Sequence, residues 1–294
     1  MHQPETQTIN KPSWLKVKFP SHQNFFTVSN LLKKEHLHTI CQSAKCPNIG
    51  ECWSQKTATF LILGDTCTRN CGFCAVKKGS PLPPSSDEPQ RVARAAELMG
   101  LGYVVVTSVT RDDLPDGGAP LFSKTIAAVR KRVPQARVEA LIPDFKGDEK
   151  ALKTVMEAHP DILNHNLETP EVLYPQINRS QTNYKRSLKV LKNSREMGAV
   201  TKSGLMVGLG ERKEDILRAF AHLREVGCDL LTVGQYLRPS KKRVPVRRYY
   251  SPQEFEVLKR AALDLGFKEV ESGPLVRSSY KAHKMFRSYH RSDC

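Results

Sequence analysis

Several things are scarce in this chain of 294 residues, and each scarcity narrows what it can be. No run of about 18 apolar residues occurs, so no membrane-spanning helix is expected. The first 30 residues lack an apolar core of the secretory kind and include Glu5, so the expectation is a cytoplasmic protein with no membrane partner. Acidic residues are outnumbered: 46 Lys and Arg against 30 Asp and Glu leave a formal charge of +16. Aromatics make up only 7% of the chain, and the basic runs Lys11–Lys18, Lys185–Lys192, Arg238–Arg248 and Lys281–Arg291 do not interleave them as an RNA-binding sheet does. Helix-turn-helix and finger spacings are missing too, so no nucleic-acid partner is expected, and the charge calls for an acidic one. Eight cysteines are too few for a disulfide scaffold of this size, and six of them crowd between residues 41 and 74. Such crowding points to metal. Cys228 reads as a small core residue and Cys294 as a free thiol of no consequence.

What is present begins with Cys67-Thr-Arg-Asn-Cys71-Gly-Phe-Cys74, a C-x3-C-x2-C directly after the apolar run Thr59–Leu63. No fourth Cys or His follows at ligand spacing, whereas a structural zinc site wants four protein ligands. Three thiolates suit an iron–sulfur cubane with one iron left open. Upstream lies Cys41-Gln-Ser-Ala-Lys-Cys46-Pro-Asn-Ile-Gly-Glu-Cys52, a C-x4-C-x5-C. Pro47 and Gly50 break regular structure there, so this triplet is expected on a loop. A zinc knuckle sharing a ligand with the next motif is the bland alternative. Two triplets of unequal spacing fit two clusters better.

The rest alternates strand and helix. Strands are expected at 59–63, 103–107, 137–142, 161–166, 201–207 and 229–233. Helices follow each, opening at the capping boxes Ser85–Glu88 and Ser251–Glu254 for the first and last. The helix over 212–226 has Ile216, Phe220 and Leu223 on one face. An earlier helix is expected over 29–40, capped by Ser29 or Asn30, after an extended arm over 1–28. Six βα units fall short of the eight of a closed barrel and predict a partial (β/α)6 TIM-like barrel, with a doubly wound sheet as the alternative. The organisation expected is an N-terminal arm and cysteine loop over 1–58, the barrel over 59–266, and a C-terminal segment over 267–294.

Ligands of such barrels sit where strands end. There stand Thr107 to Gly118 with Arg111, then Asn164 to Thr169, Gly208-Leu209-Gly210-Glu211, and Gln235 to Pro239. Singly each has a bland reading: Arg111 beside Asp112 and Asp113 as a salt-bridge knot, the glycines as a tight turn, Asn166 and Glu168 as a solvated edge.

The C-x3-C-x2-C motif resembles that of the radical SAM enzymes, with Phe73 before the last cysteine fitting their pattern. The upstream triplet, together with TSVTRDDLPDGGA, NHNLET, SGLMVGLGE, QYLRPS and the final Arg277-Ser278-Ser279-Tyr280, resembles the lipoyl synthases from about Pro12 to Tyr280. The resemblance implies radical SAM-dependent transfer of two sulfur atoms to C6 and C8 of a protein-bound octanoyl-lysine. It implies that Cys67, Cys71 and Cys74 hold one [4Fe–4S] cluster, whose open iron chelates S-adenosylmethionine (SAM). It further implies that Cys41, Cys46 and Cys52 hold an auxiliary [4Fe–4S] cluster as sulfur donor, with Ser279 (or failing it Ser278) as fourth ligand. Candidate SAM contacts are Thr107, Asn166, Glu168 and Arg179, with the turn at Gly208 and Gly210 letting backbone approach the nucleoside. Implied partners are octanoylated lipoyl domains of 2-oxoacid dehydrogenases, the glycine-cleavage H protein, an electron donor and cluster-repair proteins. Lys281 stands where His is frequent in the family. A biotin-synthase-like enzyme, an RNA methylthiotransferase and a zinc-stabilised nucleic-acid-binding protein are the competing readings.

Overall fold

The computed structural model describes residues 10–17 and 20–292; Cys294 lies outside them. Seven parallel strands form its frame: β1 (Thr59–Ile62), β2 (Tyr103–Ser108), β3 (Arg137–Leu141), β4 (Ile162–Asn164), β5 (Thr201–Val207), β6 (Leu230–Gln235) and β7 (Glu269–Gly273). They are hydrogen-bonded in sequence order, with the two-residue strand His38–Thr39 added antiparallel outside β1. Six helices make the crossovers: α1 (Glu88–Leu98), α2 (Ala119–Arg132), α3 (Glu149–Met156), α4 (Gln181–Glu196), α5 (Lys213–Glu225) and α6 (Pro252–Asp264). The sheet keeps two edges, so the barrel is partial, as the six alternations predict.

Helix faces follow the sequence period. Val92, Ala95, Ala96 and Met99 are buried, and so are Ile216, Phe220 and Leu223. Two apolar clusters result, one around β1 to β3 and the other around β5 and β6. A last helix, α7 (Ala282–Ser292), buries Met285 against Ile162 and Leu230, the first residues of β4 and β6. It therefore covers the end of the barrel away from the strand C-termini.

Four expectations are corrected. The N-terminal helix spans Gln23–Lys34, not 29–40. Its cap is His22, whose ring nitrogen accepts from the Asn24 N–H, because the apolar face reaches back through Val28 to Phe25 against Trp53. The loop expected at 41–52 carries two short helices, Ile40–Ser43 and Ile49–Ser54, with Pro47 between them. The capping box at Ser85 does not form: Asp87 is the cap, and the Glu88 carboxylate instead accepts from the Leu63 N–H at the end of β1. The box at Ser251 and Glu254 does form, with Pro252 opening the helix. Finally, β7 joins the sheet in parallel with β6, so a strand unforeseen in the sequence lies inside the segment assigned to the C-terminal return.

Candidate active site

The C-x3-C-x2-C loop leaves β1 through Leu63 and Gly64, both with positive φ, and is closed at its base by Thr66–Cys67 pairing with Lys77–Lys78. Its backbone is tied on three sides. Thr68 bonds the Thr110 carbonyl through both its N–H and its hydroxyl, at 3.1 and 3.0 Å. Gly72 donates to Ile177 O at 2.8 Å and accepts from Val244 N–H at 3.1 Å. A Cβ at Gly72 would sit 2.8 Å from the Val244 side chain, so glycine allows this close approach without displacing its neighbour. Arg69 grips Asp112 with two nitrogens and Asp144 with a third contact of 2.6 Å. Burial opposes ionisation of Asp144, yet the Arg69 bonds outweigh it and hold the carboxyl well below its usual range.

Arg179 lies over the Phe73 ring, 5.6 Å from its centre, and donates from Nε to Cys71 Sγ at 3.3 Å. Burial disfavours its charge, but Glu168, Cys71 and Tyr174 keep the guanidinium firmly protonated. Glu168 has φ +73° and is half-buried; burial raises its carboxyl, against the pull of Arg179. Burial also pushes the Cys74 thiol up to about 11, with Cys71 and Glu168 adding to the effect. Cys71, Cys74, Arg179 and Glu168 therefore form one neighbourhood.

Other sequence-derived candidates are less open. The Thr107 hydroxyl is spent on Leu141 O at 2.9 Å. Asn166 Oδ1 accepts from Ser278 Oγ at 2.8 Å, in space left by Gly204 on β5. Gly208 and Gly210 both have positive φ. At Gly208, however, the place of a Cβ is filled by Gln235 Nε2 and Arg248 O, so the close approach expected for a nucleoside is made there by the chain itself. Arg111 is 2% exposed, pairs with Asp113 and reaches Leu63 O at 3.2 Å, which is the structural knot of the bland reading.

The second triplet sits beside the start of β1. Cys41 is buried, and burial lifts its thiol to about 11; Cys52 rises to about 12 through burial and then through Cys41, Cys46 and Glu51. Burial raises Cys46 as well, with Arg277 opposing. The C-terminal segment closes over this group. Asn48 donates to Leu275 O at 2.7 Å, and the Tyr280 hydroxyl reaches both Glu51 oxygens at 2.9 and 3.1 Å. Lys281 gains a place here, 3.5 Å from Glu51 and over the Tyr280 ring. The crossing is close: a Cβ on Gly234 would meet Val276 O at 2.2 Å. Ser278 and Ser279 differ sharply. Ser278 Oγ donates to Asn166 and accepts from Asn164 at 2.9 Å, whereas Ser279 has no hydrogen bond among the described residues.

A buried ion pair escaped the sequence reading. Lys202 Nζ lies 3.0 and 3.2 Å from the Glu139 oxygens, with both side chains almost fully enclosed. Tyr103 and Asn164 each add a hydrogen bond of 2.7 Å to Glu139. A polar chain thus runs inside the barrel from Tyr103 through Glu139 and Asn164 to Ser278. The signal available was Lys202 within an otherwise buried strand, which alternation alone assigns to solvent.

Among the described residues no three Cys, His, Asp or Glu side chains converge on the position of a single ion. A cubane binds each thiolate at a different iron, so it takes donors that are grouped but spread. The donor sets fit such a group: free half-buried or buried thiols, with N–H groups directed at sulfur, as from Arg69 N to Cys67 Sγ at 3.4 Å.

The comparisons with known proteins agree with this architecture. The chain matches the Radical SAM superfamily over residues 61–223. A lipoyl synthase of Rubrobacter xylanophilus is 54% identical over 93% of this chain and 86% of its own. One of Caldicellulosiruptor saccharolyticus is 55% identical over 93% and 96%. Among solved structures, Streptococcus suis SuiB bound to its precursor peptide SuiA superposes with a TM-score of 0.57 at 14% identity, over 85% of this chain and 53% of that one, a likeness of fold alone. The superfamily match implies a [4Fe–4S] cluster and SAM. With more than half of all positions shared along nearly the full length, the chain belongs to the lipoyl synthases of the radical SAM superfamily.

Proposed function

We propose that the two cysteine triplets hold two [4Fe–4S] clusters with separate tasks in lipoyl synthesis. Cys67, Cys71 and Cys74 bind the cluster that engages SAM, and Cys41, Cys46 and Cys52 bind an auxiliary cluster with Ser279 as fourth ligand. What supports this most is the pair of serines. Ser278 is occupied by Asn164 and Asn166, and Ser279, carried on a segment closed over Cys46 and Glu51, keeps its oxygen free. The division of the chain follows the same lines, with the arm and cysteine loop up to residue 58, the barrel from 59 through β7, and the return segment after Gly273 supplying the serine.

Once bound, the clusters and SAM supply a 5′-deoxyadenosyl radical able to break unactivated C–H bonds at C6 and C8, together with the sulfide that replaces the hydrogens. The residues of the chain do the positioning. Arg69, locked by Asp112 and Asp144, and Gly72, bonded to Ile177 and Val244, fix the loop that presents the three thiolates. Arg179 spends Nε on Cys71 and offers its remaining N–H groups to the SAM carboxylate. Glu168 keeps that guanidinium charged and offers oxygens to SAM hydroxyls. Asn166 takes part by exchanging its Ser278 bond for the ligand, and Thr107 and the Gly208–Gly210 turn complete the wall. An alkoxide at Ser279 is a harder ligand than thiolate and matches iron–sulfur chemistry less well, which makes one corner of the auxiliary cluster easier to open.

The substrate is a lipoyl domain bearing octanoyl-lysine, of a 2-oxoacid dehydrogenase or a glycine-cleavage H protein, with an electron donor and cluster-repair proteins as further partners. Location in the cytoplasm fits this partner set, and no helix among the described residues is long and apolar enough to cross a membrane. The test is anaerobic turnover of the reconstituted protein with an octanoyl-lysine peptide, SAM and a strong reductant. Two sulfurs gained, with two 5′-deoxyadenosines per product, are expected. Deoxyadenosine without modified peptide would refute the substrate, and neither product from protein loaded with both clusters would refute the mechanism.

A further inference from the structure

Three of the four basic runs can be followed in the fold, and they meet different fates. On α4, Arg186 pairs with Asp144, Lys189 with Glu149 and Lys192 with Glu196, so carboxylates of the chain answer three of the four cations of that run. The C-terminal run pairs Lys281 with Glu51 and then continues into α7, at the barrel end away from the site. The loop after β6 is different. Arg238, Lys241, Lys242, Arg243 and Arg247 have no carboxylate within ion-pair distance among the described residues, and only Arg248 finds one, Glu254. Lys241 and Lys242 are exposed at its tip.

That loop is held against the C-x3-C-x2-C segment. Val244 N–H bonds Gly72 O at 3.1 Å, Tyr236 OH bonds Val244 O at 2.8 Å, and Arg243 reaches Asn70 at 3.5 Å. The tip is braced by Arg238, which bonds Arg243 O and Lys241 O. The short strand Lys77–Lys78, paired with Thr66–Cys67, adds two more cations without ion pairs among the described residues. That pairing, and the bond of Val244 to Gly72, hold both groups of cations beside the cysteine loop. Such crowding is unfavourable in the free protein and is relieved by an anionic surface laid across it.

We infer that Lys77, Lys78, Arg238, Lys241, Lys242 and Arg243 form the docking rim for the acidic face of the folded domain that presents the octanoyl-lysine. This rests on the proposed function and adds to it the place where the carrier binds. The rim borders the opening at the strand C-termini, so a domain seated on it points its modified lysine at the cysteine loop. The preformed backbone bonds mean that docking orders little new chain.

The decisive variant is Lys241→Glu with Lys242→Glu, at two exposed tip residues outside the cysteine loop. Two readouts are needed on the full chain with both clusters: affinity for an acidic octanoylated lipoyl domain without turnover, and sulfur insertion into a short neutral octanoyl-lysine peptide. The expected result is affinity for the domain weakened by about 10-fold or more at low salt, a flatter salt dependence, and an unchanged rate with the peptide. Unchanged affinity for the domain would overturn the docking rim. Equal loss on both substrates would do the same, since it signals damage to the site. An RNA oligomer that binds the wild type and not the variant, while the domain binds both alike, would assign the rim to RNA and also overturn it. Failure of the wild type to modify the peptide would refute the proposed function, and the domain affinity would still decide the docking rim.

Discussion

The two cysteine triplets are built on opposite plans. Cys67, Cys71 and Cys74 lie within eight residues on one loop at the barrel mouth, where the Arg179 guanidinium donates to Cys71 and the Arg69 backbone N–H to Cys67. Cys41 and Cys52 stand on two short helices outside the sheet, with Cys46 in the link between them, and the group is covered by residues more than two hundred positions later, as the Asn48 to Leu275 bond shows. Local construction makes the first site part of the barrel. The second site depends on distant chain being in place. The comparison teaches that one fold can hold two similar donor sets with different dependence on the rest of the molecule.

The sharpest way to separate them is to remove one thiolate from each. Cys71→Ala is expected to abolish SAM cleavage, measured as the loss of deoxyadenosine formation. Cys46→Ala should retain SAM cleavage and lose sulfur insertion, measured as deoxyadenosine released without a mass gain in the peptide. Equal loss of both activities in the two variants would erase the distinction drawn here. Ser279→Cys tests it more finely. A thiolate there should bind a cluster visible by its absorbance yet lose sulfur transfer, and full activity would refute a serine chosen for lability.

Stability offers a milder probe. Glu139→Gln leaves Lys202 charged and enclosed without its counter-charge, which costs roughly 3–5 kcal/mol. Because Asn164 bridges Glu139 to Ser278, this variant should also loosen the cover of the second triplet, seen as faster loss of its iron to a chelator. The smallest effect is expected from Gly72→Ala. Its Cβ presses on Val244 and on the Ile177 backbone at 3.3 Å, and a penalty of about 1–3 kcal/mol should appear as a lower unfolding midpoint. A Gly72→Ala protein as stable as the wild type would show that the loop adjusts at no cost.

Much of the frame was legible in the sequence because buried strands and amphipathic helices leave periodic traces. The faces of α1 and α5 are clear instances, and the cap at Ser251 is another. What escaped had tertiary causes. Glu88 matches a capping box in letters, but β1 ends nearby with a bare N–H, and that stronger demand takes the carboxylate. β7 reads Glu269-Val-Glu-Ser-Gly, polar at three positions of five, and only its neighbours make it a strand. The two cysteine triplets stand out as motifs because thiolate spacing is local. The network of Arg69, Asp112 and Asp144 joins residues up to 75 apart, and no local pattern encodes it. Ser278 and Ser279 are adjacent and chemically identical, so the choice of Ser279 over Ser278 rested on the family resemblance; in the structure it is Ser278 that bonds Asn164 and Asn166.

The closure of residues 275–281 over residues 41–52 also has a meaning in time. A chain made from its N-terminus exposes the second triplet long before its cover exists, and domains form as they emerge. The barrel-mouth loop lies near residues 110, 177 and 244, all synthesised before the cover. Three early thiols thus wait, accessible to metal-delivery factors and to oxidation alike, until residues 275–281 arrive to shut them in.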